Sequence, residues 1–393
     1  MQPTDFKSDR AGRVIRAPLG YWAYVPNALP PKVDLHRQLV VRLSLAEREL
    51  GRLSGMGTTL PNPYLLIGPF LRKEAVLSSR IEGTVAALSD LFFFEAAPSD
   101  PPRVGDVREV ANYVRAMQTG LDSKRSLPMS LRLIRELHRV LMSGVRGEQM
   151  TPGEFRTSQN WIGRAGCLLD EATLVPPPVP EMHQALDAFE KFLHAPTDLP
   201  PLVRLALIHY QFEAIHPFVD GNGRIGRLLI SLLLCEEGLL PSPLLYLSAF
   251  FERRRQDYYG RLLAVSREGA WEAWVDYFLE GVAEQSVDAM QRAIRLRALR
   301  DKYNVRLQKA RSSALLVKLV DALFDHPAIT VRRSAQLLKV TTRASSLNIG
   351  KLVDAGILSE ATGRARNRLF VAREIIRVID EDLAPPGTDA RTP

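Results

Sequence analysis

Apolar side chains recur at helical spacing along most of the chain. Between residues 35 and 53 the apolar positions lie three or four residues apart, and the same spacing returns in later segments. These segments are 70–88, 106–121, 130–142, 181–194, 202–215, 251–265 and 271–282. Residues 225–234 are apolar nearly all round, which is typical of a buried helix at the centre of a bundle. The pattern therefore predicts a mainly α-helical fold.

Two stretches depart from this pattern. The N-terminal 30 residues, rich in proline and aromatic side chains, are predicted to lie extended across a core. Residues 153–180 contain several glycines and prolines, which interrupt helices. Within them, short runs at 160–162 and 173–175 predict the two strands of a small β-hairpin.

The C-terminal part has the order helix, turn, helix, hairpin. Helices are predicted over 332–338 and 341–355, and strands over 357–361 and 368–371. This order predicts a winged helix-turn-helix domain, whose second helix would enter a DNA major groove. Its exposed residues would be Thr342, Arg343 and Ser346, with Arg364, Arg366 and Arg368 on the hairpin.

Positive charge is concentrated toward this end of the chain. The whole chain has a formal net charge of +8 at pH 7, whereas residues 290–372 hold 17 Lys and Arg against 5 Asp and Glu, a net of +12. The rest of the chain therefore carries −4. Such asymmetry is typical of a nucleic-acid surface, although a basic run such as 291–311 more often forms a solvated helix face. DNA and a docked protein are both candidate partners of this end.

The composition excludes several classes of protein. With 46% hydrophobic and 24% charged residues in 393, the chain is typical of a globular protein of two or three domains. Cys167 and Cys235 form no C-x-x-C pair, so neither a disulfide framework nor a structural metal site is indicated. The first 20 residues lack an apolar targeting segment, and no apolar run is long enough to span a membrane. These features predict a cytoplasmic location without a membrane partner.

The densest chemistry lies in residues 214–227, which read A-I-H-P-F-V-D-G-N-G-R-I-G-R. Gly221 and Gly223 can adopt positive φ, so the turn around Asn222 can point backbone N–H groups at an anion. A helix beginning at Arg224 would add its positive end to the same place. The turn therefore predicts a phosphate-binding site.

Charged side chains flank this turn. Arg224 and Arg227 lie three residues apart, on one side of the new helix, and can fork onto phosphate oxygens. Asp220 is placed to hold a divalent cation through oxygen. His216 titrates near neutral pH and can take a proton from a hydroxyl group. The segment as a whole predicts a polyphosphate site beside a general base.

This segment resembles the Fic family signature, H-x-F-x-[D/E]-G-N-G-R-x-x-R, because it reads H-P-F-V-D-G-N-G-R-I-G-R. The resemblance implies a Fic-type helical bundle with a β-hairpin flap. It also implies a protein adenylyltransferase, which moves AMP from ATP onto a Ser, Thr or Tyr hydroxyl with Mg²⁺. It makes His216 the general base, Asp220 the metal ligand, Gly221, Asn222 and Gly223 the phosphate cradle, and Arg224 and Arg227 the phosphate clamps.

An upstream segment resembles a second Fic motif. Residues 78–83 read S-S-R-I-E-G, similar to the family's inhibitory pattern S-x-x-x-E-G. The resemblance implies an inhibitory motif of Ser78, Glu82 and Gly83. In it, Glu82 reaches Arg227 and occupies the place of the ATP γ-phosphate. Without the resemblance, a Ser and a Glu four residues apart are ordinary on a solvated helix face.

The segment from Phe155 to Pro178 resembles the Fic flap, a hairpin that in the family grips the backbone of the target protein by strand addition. Trp161 or Ile162 would then pin the target side chain, or would only anchor the hairpin to the core. Tyr258 and Tyr259 fall where the family often has adenine-contacting residues, and core packing is the alternative for both.

Two other interpretations of the central segment are less favoured. Its glycines also spell G-x-G-x-x-G, but the dinucleotide fingerprint requires a preceding strand, and residues 202–215 have helical spacing. His209, Glu213 and His216 share a helix face and suggest zinc, but H-x-x-x-E-x-x-H is not the spacing of zinc proteases.

The predicted domains run from an N-terminal regulatory region to a disordered tail. They are the regulatory region (1–104), the Fic core (105–290), a basic helical connector (291–312), the winged-helix domain (313–384) and the tail (385–393). Functional alternatives are removal of AMP or transfer of another phosphate-containing group, and a transcriptional regulator whose Fic core only senses nucleotide. The candidate partners are a target protein, the chain itself, DNA, and a second copy in a homodimer.

Overall fold

The computed structural model describes residues 1–59, 64–98, 105–122, 128–145, 151–164, 166–309, 314–364 and 367–381. The predicted tail (385–393) and Arg366 lie outside these residues. Helices dominate the described chain, as predicted, and none of them has an apolar stretch long enough to cross a membrane. In chain order the elements are β1 (Gly12–Arg16), β2 (Trp22–Pro26), α1 (Arg37–Thr59), α2 (Tyr64–Ile81), α3 (Leu88–Ala96), α4 (Val107–Leu121), α5 (Leu131–Leu141), α6 (Val179–His194), α7 (Pro201–Ile215), α8 (Asn222–Glu236), α9 (Ser248–Arg253), α10 (Arg255–Glu268), α11 (Trp271–Lys309), α12 (Ala314–Asp325), β3 (Ala328–Thr330), α13 (Val331–Leu338), α14 (Thr342–Asp354), β4 (Ser359–Glu360), β5 (Leu369–Val371) and α15 (Arg373–Asp380).

The chain divides into two compact units that each draw on distant parts of the sequence. The first unit comprises Met1–Gly51, Asn112–Leu240 and Leu247–Ala283. The second comprises Arg52–Ala111, Pro241–Tyr246 and Glu284–Pro393. Helices α1, α4 and α11 each contribute residues to both units. The five domains drawn from the sequence stay a prediction.

In the first unit the core is built around α7 and α8. Every residue of α8 from Asn222 to Leu234 is buried except Gly223, which is half-buried, so the predicted central helix is confirmed. The N-terminal segment is a hairpin, with β1 antiparallel to β2 and Gly12 opposite Pro26. The hairpin packs on α6 and α7 through β2. The N-terminal residues therefore form two paired strands, whereas their prolines predicted an extended segment without strand pairing.

In the second unit α2 differs from its prediction at both ends. It begins at Tyr64, so Pro69 lies inside the helix rather than at its start. It ends at Ile81 because Gly83 takes φ 99°, and the N–H groups of Gly83 and Thr84 donate to Arg80 O at 2.9 Å and to Ser79 O at 3.2 Å. This arrangement is a Schellman helix end, for which glycine is the preferred residue. The single helix predicted over 70–88 is therefore wrong.

The C-terminal segment of the second unit follows the predicted order. Two helices, α13 and α14, are each capped by a threonine: Thr330 accepts from Arg333 N–H at 3.3 Å, and Thr341 accepts from Ala344 N–H at 3.2 Å. Three short antiparallel strands pair in the order β3-β5-β4. The helices agree with their predicted bounds to within one residue, whereas β4 is shorter than predicted.

The basic run at 291–311 is helical over its described length. It continues α11 without a break, and several of its cations pair with acids of the same unit. Arg292, only 3% exposed, binds Asp288 at 2.6 Å and donates to the carbonyl of Ile379 at 2.8 Å. Arg300 binds Asp321 at 2.7 Å, and Lys302 binds Glu374 at 3.1 Å. Part of this positive charge is therefore neutralised inside the unit.

Candidate functional site

The loop between α7 and α8 is built on two left-handed residues. α7 ends at Ile215, and the next residue, His216, takes φ 49° and ψ 60°. At the other end of the loop Gly221 takes φ 81°, and α8 follows at Asn222. A Cβ at Gly221 would lie 3.2 Å from the sulfur of Met142, so both the backbone angle and the space favour glycine there.

α8 begins two residues earlier than the sequence predicted. Gly223 and Arg224 are already helical, so of the two motif glycines beside Asn222 only Gly221 has positive φ. Asn222 is 2% exposed, and its side-chain amide accepts from Phe218 N–H at 2.9 Å and donates to Phe218 O at 2.8 Å. Asn222 thus closes the loop with its side chain. The first N–H groups of a helix have no intrahelical partner and attract anions, so the start of α8 is suited to a phosphate; the cradle role of Gly221, Asn222 and Gly223 stays a prediction.

The tautomer of His216 is set by the backbone of its own helix. Its Nδ1 lies 3.2 Å from the carbonyl oxygen of Glu213. Because a carbonyl oxygen can only accept, Nδ1 donates this bond and carries a proton. The side chain is half-buried at the end of α7. The role of His216 as a general base, which would act through Nε2, stays a prediction.

Asp220 is the exposed acid of the loop. Its Oδ1 accepts from Gly221 N–H at 2.6 Å and lies 3.5 Å from Arg224 Nη2. The side chain of Asp220 is 53% exposed, whereas that of Arg224 is 4%. Within the described ranges no cluster of three or more His, Cys, Asp or Glu residues could hold a metal ion. A single carboxylate suffices where Mg²⁺ is bound mainly by nucleotide phosphates, and Asp220 fits that role.

Both arginines of the motif are buried on α8. Arg224 and Arg227 are 3% and 2% exposed. Burial, with Glu213 nearby, raises the pKa of Tyr258 on α10 well above its usual value, and the charge of Arg227 partly offsets that rise. Two buried cations at the positive start of a helix create a field that favours a polyanion such as a triphosphate.

Two residues that the sequence did not single out hold the loop from outside. Arg156, 1% exposed, donates from Nε to His216 O at 3.1 Å and also reaches the carbonyl of Pro177. Asn160 donates to His216 O at 3.2 Å and to Phe218 O at 2.8 Å. Burial lowers the pKa of Arg156 to about 10, so it stays charged at neutral pH. The segment at 156–177 is thus tied to the backbone of His216.

His138, which is buried under the loop, is a further residue that the sequence does not single out. Its ring stacks on Phe218 with 3.7 Å between ring centroids and 5° between planes. Nδ1 accepts from Gly153 N–H at 2.9 Å, and Nε2 therefore donates to Asp220 O at 3.0 Å. The backbone of the acid that would hold the metal is fixed by this bond. Only its place in an amphipathic helix was visible in the sequence.

Family models match two adjacent regions of the chain. The Fic/DOC family N-terminal model matches residues 40–122, and the Fic/DOC family model matches residues 128–234, which include the whole loop from His216 to Arg227. Residues 128–234 therefore match a Fic/DOC family domain, preceded by a match to the N-terminal domain of that family. The resemblance read from the signature is confirmed.

The chain is also similar to individual Fic proteins. "Protein adenylyltransferase Fic" of Drosophila virilis is 31% identical over 166 residues, and that of Drosophila grimshawi 30%; the match covers 42% of this chain. The chain spans about 30% of the length of these relatives. A crystal structure of a Fic family protein from Desulfovibrio desulfuricans covers 88% of this chain and 98% of its own, at 19% identity and a TM-score of 0.55. Fic-1 of C. elegans covers 65% of this chain and 73% of its own, at 22% identity and a TM-score of 0.50. These two structures support the Fic fold.

The segment predicted to form the flap is less regular than predicted. The two predicted strands meet only at a single bridge, in which Ile162 N–H donates to Leu174 O at 2.8 Å. Ile162 is half-buried, whereas Trp161 is 41% exposed and donates from its indole to Cys167 O at 2.9 Å. Trp161 is therefore the better placed of the two to meet a target side chain, a role that stays a prediction.

The predicted inhibitory residues lie at the end of α2, in the second unit. Ser78 is buried within the helix, and Glu82 and Gly83 are exposed in the turn after it. Gly83 has a structural role, because its positive φ ends the helix directly after Ile81. The pairing of Glu82 with Arg227, which belongs to the first unit, stays a prediction.

The structure decides between several alternatives at the Fic motif. The dinucleotide fingerprint is wrong, because the element before the loop is helix α7. His209 engages Gly226 O and the Tyr258 hydroxyl with its two ring nitrogens, so it offers no nitrogen to zinc. Tyr258 is fully buried and packs in the core, whereas Tyr259 is 40% exposed and remains a candidate adenine contact.

The two buried histidines make stability depend on pH. Burial lowers the pKa of His138 to about 4, and burial together with the charge of Arg227 lowers that of His209 to about 3. Both values lie below the 6.5 of an unfolded histidine, so the unfolded chain takes up protons first as pH falls. We expect each to destabilise the fold by about 1.4 kcal/mol per pH unit below 6.5, down to its folded pKa. The midpoint of denaturant unfolding should therefore be lower at pH 5 than at pH 7.

Carboxylates also make stability depend on pH, so the contribution of a buried histidine must be isolated by substituting that histidine alone. His138→Phe keeps the stack on Phe218. Below pH 6.5 it should reduce the slope of the unfolding free energy against pH by about 1.4 kcal/mol per pH unit, the effect of one proton. His194→Gln, at an exposed site, is the control and should leave it unchanged. Equal pH dependence in His138→Phe and the unsubstituted protein would contradict the assignment.

Proposed function

We propose that the chain is a protein adenylyltransferase, which transfers AMP from ATP to a Ser, Thr or Tyr hydroxyl of a target protein or of itself. The observation that carries the proposal is the loop that joins α7 to α8. In that loop His216, whose Nδ1 is bound to Glu213 O, lies in sequence just before a helix start with two buried arginines. The printed name of the Drosophila relatives, protein adenylyltransferase, supports the same reaction.

The reaction would be an in-line displacement at the α-phosphate. His216 Nε2 takes the proton of the attacking hydroxyl while the oxygen of that hydroxyl bonds to the α-phosphorus. The bond from that phosphorus to the bridging oxygen breaks, and pyrophosphate leaves. The start of α8, Arg224 and Arg227 bind phosphate oxygens and stabilise the charge of the transition state. Asp220 would hold Mg²⁺, which neutralises phosphate charge when bound.

The same proposal includes recognition of the target and restraint of the reaction. The flap segment would pair with extended target backbone, with Trp161 or Ile162 against the target side chain. The exposed carboxylate of Glu82 would compete with the γ-phosphate for Arg227, with Ser78 and Gly83 fixing the end of α2. ATP would then bind with its α-phosphate turned away from the attacking hydroxyl.

A second candidate function is DNA binding by the C-terminal segment. The order of α12, β3, α13, α14, β4 and β5 is that expected of a winged helix, and Thr342, Arg343 and Ser346 are exposed on α14. The chain would then be a regulator with a nucleotide-sensing core. Charge reversal at Arg343 and Arg364 would abolish regulation by such a protein, whereas His216→Ala would not.

The proposed function is tested with ATP labelled on the α-phosphate. We expect the purified chain to become labelled, and intact-mass analysis to show an increment of one or more AMP groups. A different increment would indicate transfer of another phosphate-containing group. Loss of AMP from a previously modified chain, without any labelling, would indicate the reverse reaction. If the chain neither binds ATP nor changes in mass, the proposed function is wrong.

A further inference from the structure

Arg156 lies between the flap segment and the loop that joins α7 to α8, and it is 1% exposed although it carries a charge. On the side of the loop, Nε donates to His216 O at 3.1 Å and the backbone N–H donates to Pro217 O at 2.9 Å. On the side of the flap segment, Nη1 donates to Ser158 O at 3.2 Å and Nη2 donates to Pro177 O. One buried residue thus connects the proposed base with both arms of the flap segment.

The contacts of Arg156 fix the direction of its Nε–H. A guanidinium is planar and its N–H donors point in fixed directions, so acceptors at both Nη atoms set the plane of the group. Burial lowers the pKa of Arg156 to about 10, so the group is charged at neutral pH and its hydrogen bonds are charge-assisted. The remaining donor, Nε–H, is thereby directed at the carbonyl oxygen of His216.

The backbone of His216 is left-handed and is held on both sides. Its φ of 49° and ψ of 60° cost free energy in a residue that has a Cβ. Its N–H donates to Phe212 O at 3.0 Å, and its C=O accepts from Arg156 Nε and from Asn160 Nδ2 at 3.2 Å. These bonds fix the direction in which the side chain leaves the backbone. The bond from Nδ1 to Glu213 O then orients the ring.

We propose that Arg156 is a positioning residue, whose Nε–H holds the carbonyl of His216 and so keeps the imidazole in the orientation that takes the proton of the target hydroxyl. The two carbonyls of the flap segment hold the guanidinium in place for this role. A misplaced general base lowers the rate even when nucleotide binds normally, because proton transfer depends on distance and direction. The inference rests on the proposed function, because it assumes that His216 is the base.

Two substitutions remove different parts of the Arg156 side chain. In Arg156→Lys a methylene takes the place of Nε, so the donor to His216 O is lost, while the charge and a donor for the flap carbonyls remain. In Arg156→Gln the amide nitrogen takes the place of Nε, so a donor to His216 O remains, while the charge and the donors to the flap carbonyls are lost.

We expect the two substitutions to differ in the rate of self-labelling at saturating ATP. Arg156→Lys should lower this rate about tenfold, the effect of losing one hydrogen bond to a charged group. Arg156→Gln should lower it by about threefold at most, because the bond to His216 O can still form. The affinity for ATP, measured by calorimetric titration, should stay within about twofold in both, because the phosphates bind at the start of α8.

This order of rates differs from the order of stabilities. Arg156→Gln leaves the carbonyls of Ser158 and Pro177 without their donor, so it should unfold at a lower denaturant concentration than Arg156→Lys. A role in the fold alone would therefore make Arg156→Gln the less active of the two. In a His216→Ala background Arg156→Lys should change the remaining rate by less than about twofold, because it acts through the imidazole.

Arg204→Lys is the matched control. Arg204 is 8% exposed and, like Arg156, donates to backbone carbonyls, those of Leu193 at 2.7 Å and Phe192 at 3.1 Å. It lies near the start of α7, about 18 Å along the helix from His216 at about 1.5 Å per residue. Its substitution should leave the rate of self-labelling unchanged.

The outcomes separate this inference from the proposed function. If the unsubstituted chain acquires no AMP, the inference fails together with the proposed function. If it acquires AMP, and His216→Ala lowers the rate, the inference alone is wrong when Arg156→Lys is fully active or is more active than Arg156→Gln. Should Arg156→Lys fail to fold, Arg156→Met is compared with Arg156→Gln. The two side chains are similar in length and only glutamine has a donor at the place of Nε, so Arg156→Met should be the slower by about tenfold. Equal rates would show that Arg156 only supports the fold.

Discussion

We expect His216→Ala to lower the rate of AMP transfer by a factor of about 10² to 10⁴, the usual contribution of a positioned general base. The reason lies in the tautomer. The proton on Nδ1 is held by Glu213 O, so Nε2 is the nitrogen that can take a proton from the attacking hydroxyl. The measurement is the initial rate of self-labelling from α-labelled ATP, at saturating nucleotide. ATP affinity should change little, because the phosphates are bound by α8 and its arginines.

Two comparisons make this result specific to the base. His194→Ala removes an exposed histidine at the end of α6 and should leave the labelling rate unchanged. Asn160→Ala removes a side chain that holds the His216 carbonyl but leaves the imidazole in place, so it should have a smaller effect than His216→Ala. Full activity of His216→Ala, with ATP still bound, would exclude His216 as the base.

The part of the site that could be predicted is the part that is contiguous in sequence. The proposed base, the proposed metal ligand, the turn glycine and both arginines lie within twelve residues, from His216 to Arg227, and local geometry relates them. The residues that hold this loop could not be predicted in the same way. Arg156 and Asn160 act on His216 from 60 and 56 residues away, and His138 acts on Asp220 from 82. Contacts over such distances depend on how helices pack, which no local pattern reports.

The fold shows the same division between local and distant causes. The threonine caps of α13 and α14 and the glycine after α14 were visible, and the predicted bounds of these helices are nearly correct. Gly83 is a comparable signal for the end of α2, whereas the predicted helix continues past it to residue 88. The sequence prediction also ends a helix at residue 282 and sets the basic run at 291–311 apart, whereas α11 runs through both. Its arginines are stabilised by acids as distant as Asp321, so the charge gives no reason for the helix to end.

We expect Glu82→Gly to raise the rate of AMP transfer about tenfold to a hundredfold. A pair between a carboxylate and a guanidinium contributes about 1.5 to 3 kcal/mol, and each 1.4 kcal/mol of bias is about a tenfold change in the population of the active arrangement. Glu82 lies outside α2, after its last residue Ile81, so the substitution does not weaken the interior of the helix. The measurement is the labelling rate at saturating ATP, where a change in nucleotide affinity has no effect.

The charge of Glu82, rather than its size, should be the cause. Glu82→Gln keeps the length of the side chain and removes only the charge, so it should activate transfer nearly as well as Glu82→Gly. Glu82→Asp keeps the charge on a shorter side chain and should retain most of the restraint. The double variant Glu82→Gly, His216→Ala should be inactive, because releasing the phosphate site does not replace the base. If Glu82→Gly and Glu82→Gln both label at the rate of the unsubstituted chain, Glu82 does not restrain the enzyme. The S-x-x-x-E-G segment would then only end a helix, the one role in which its glycine is already placed.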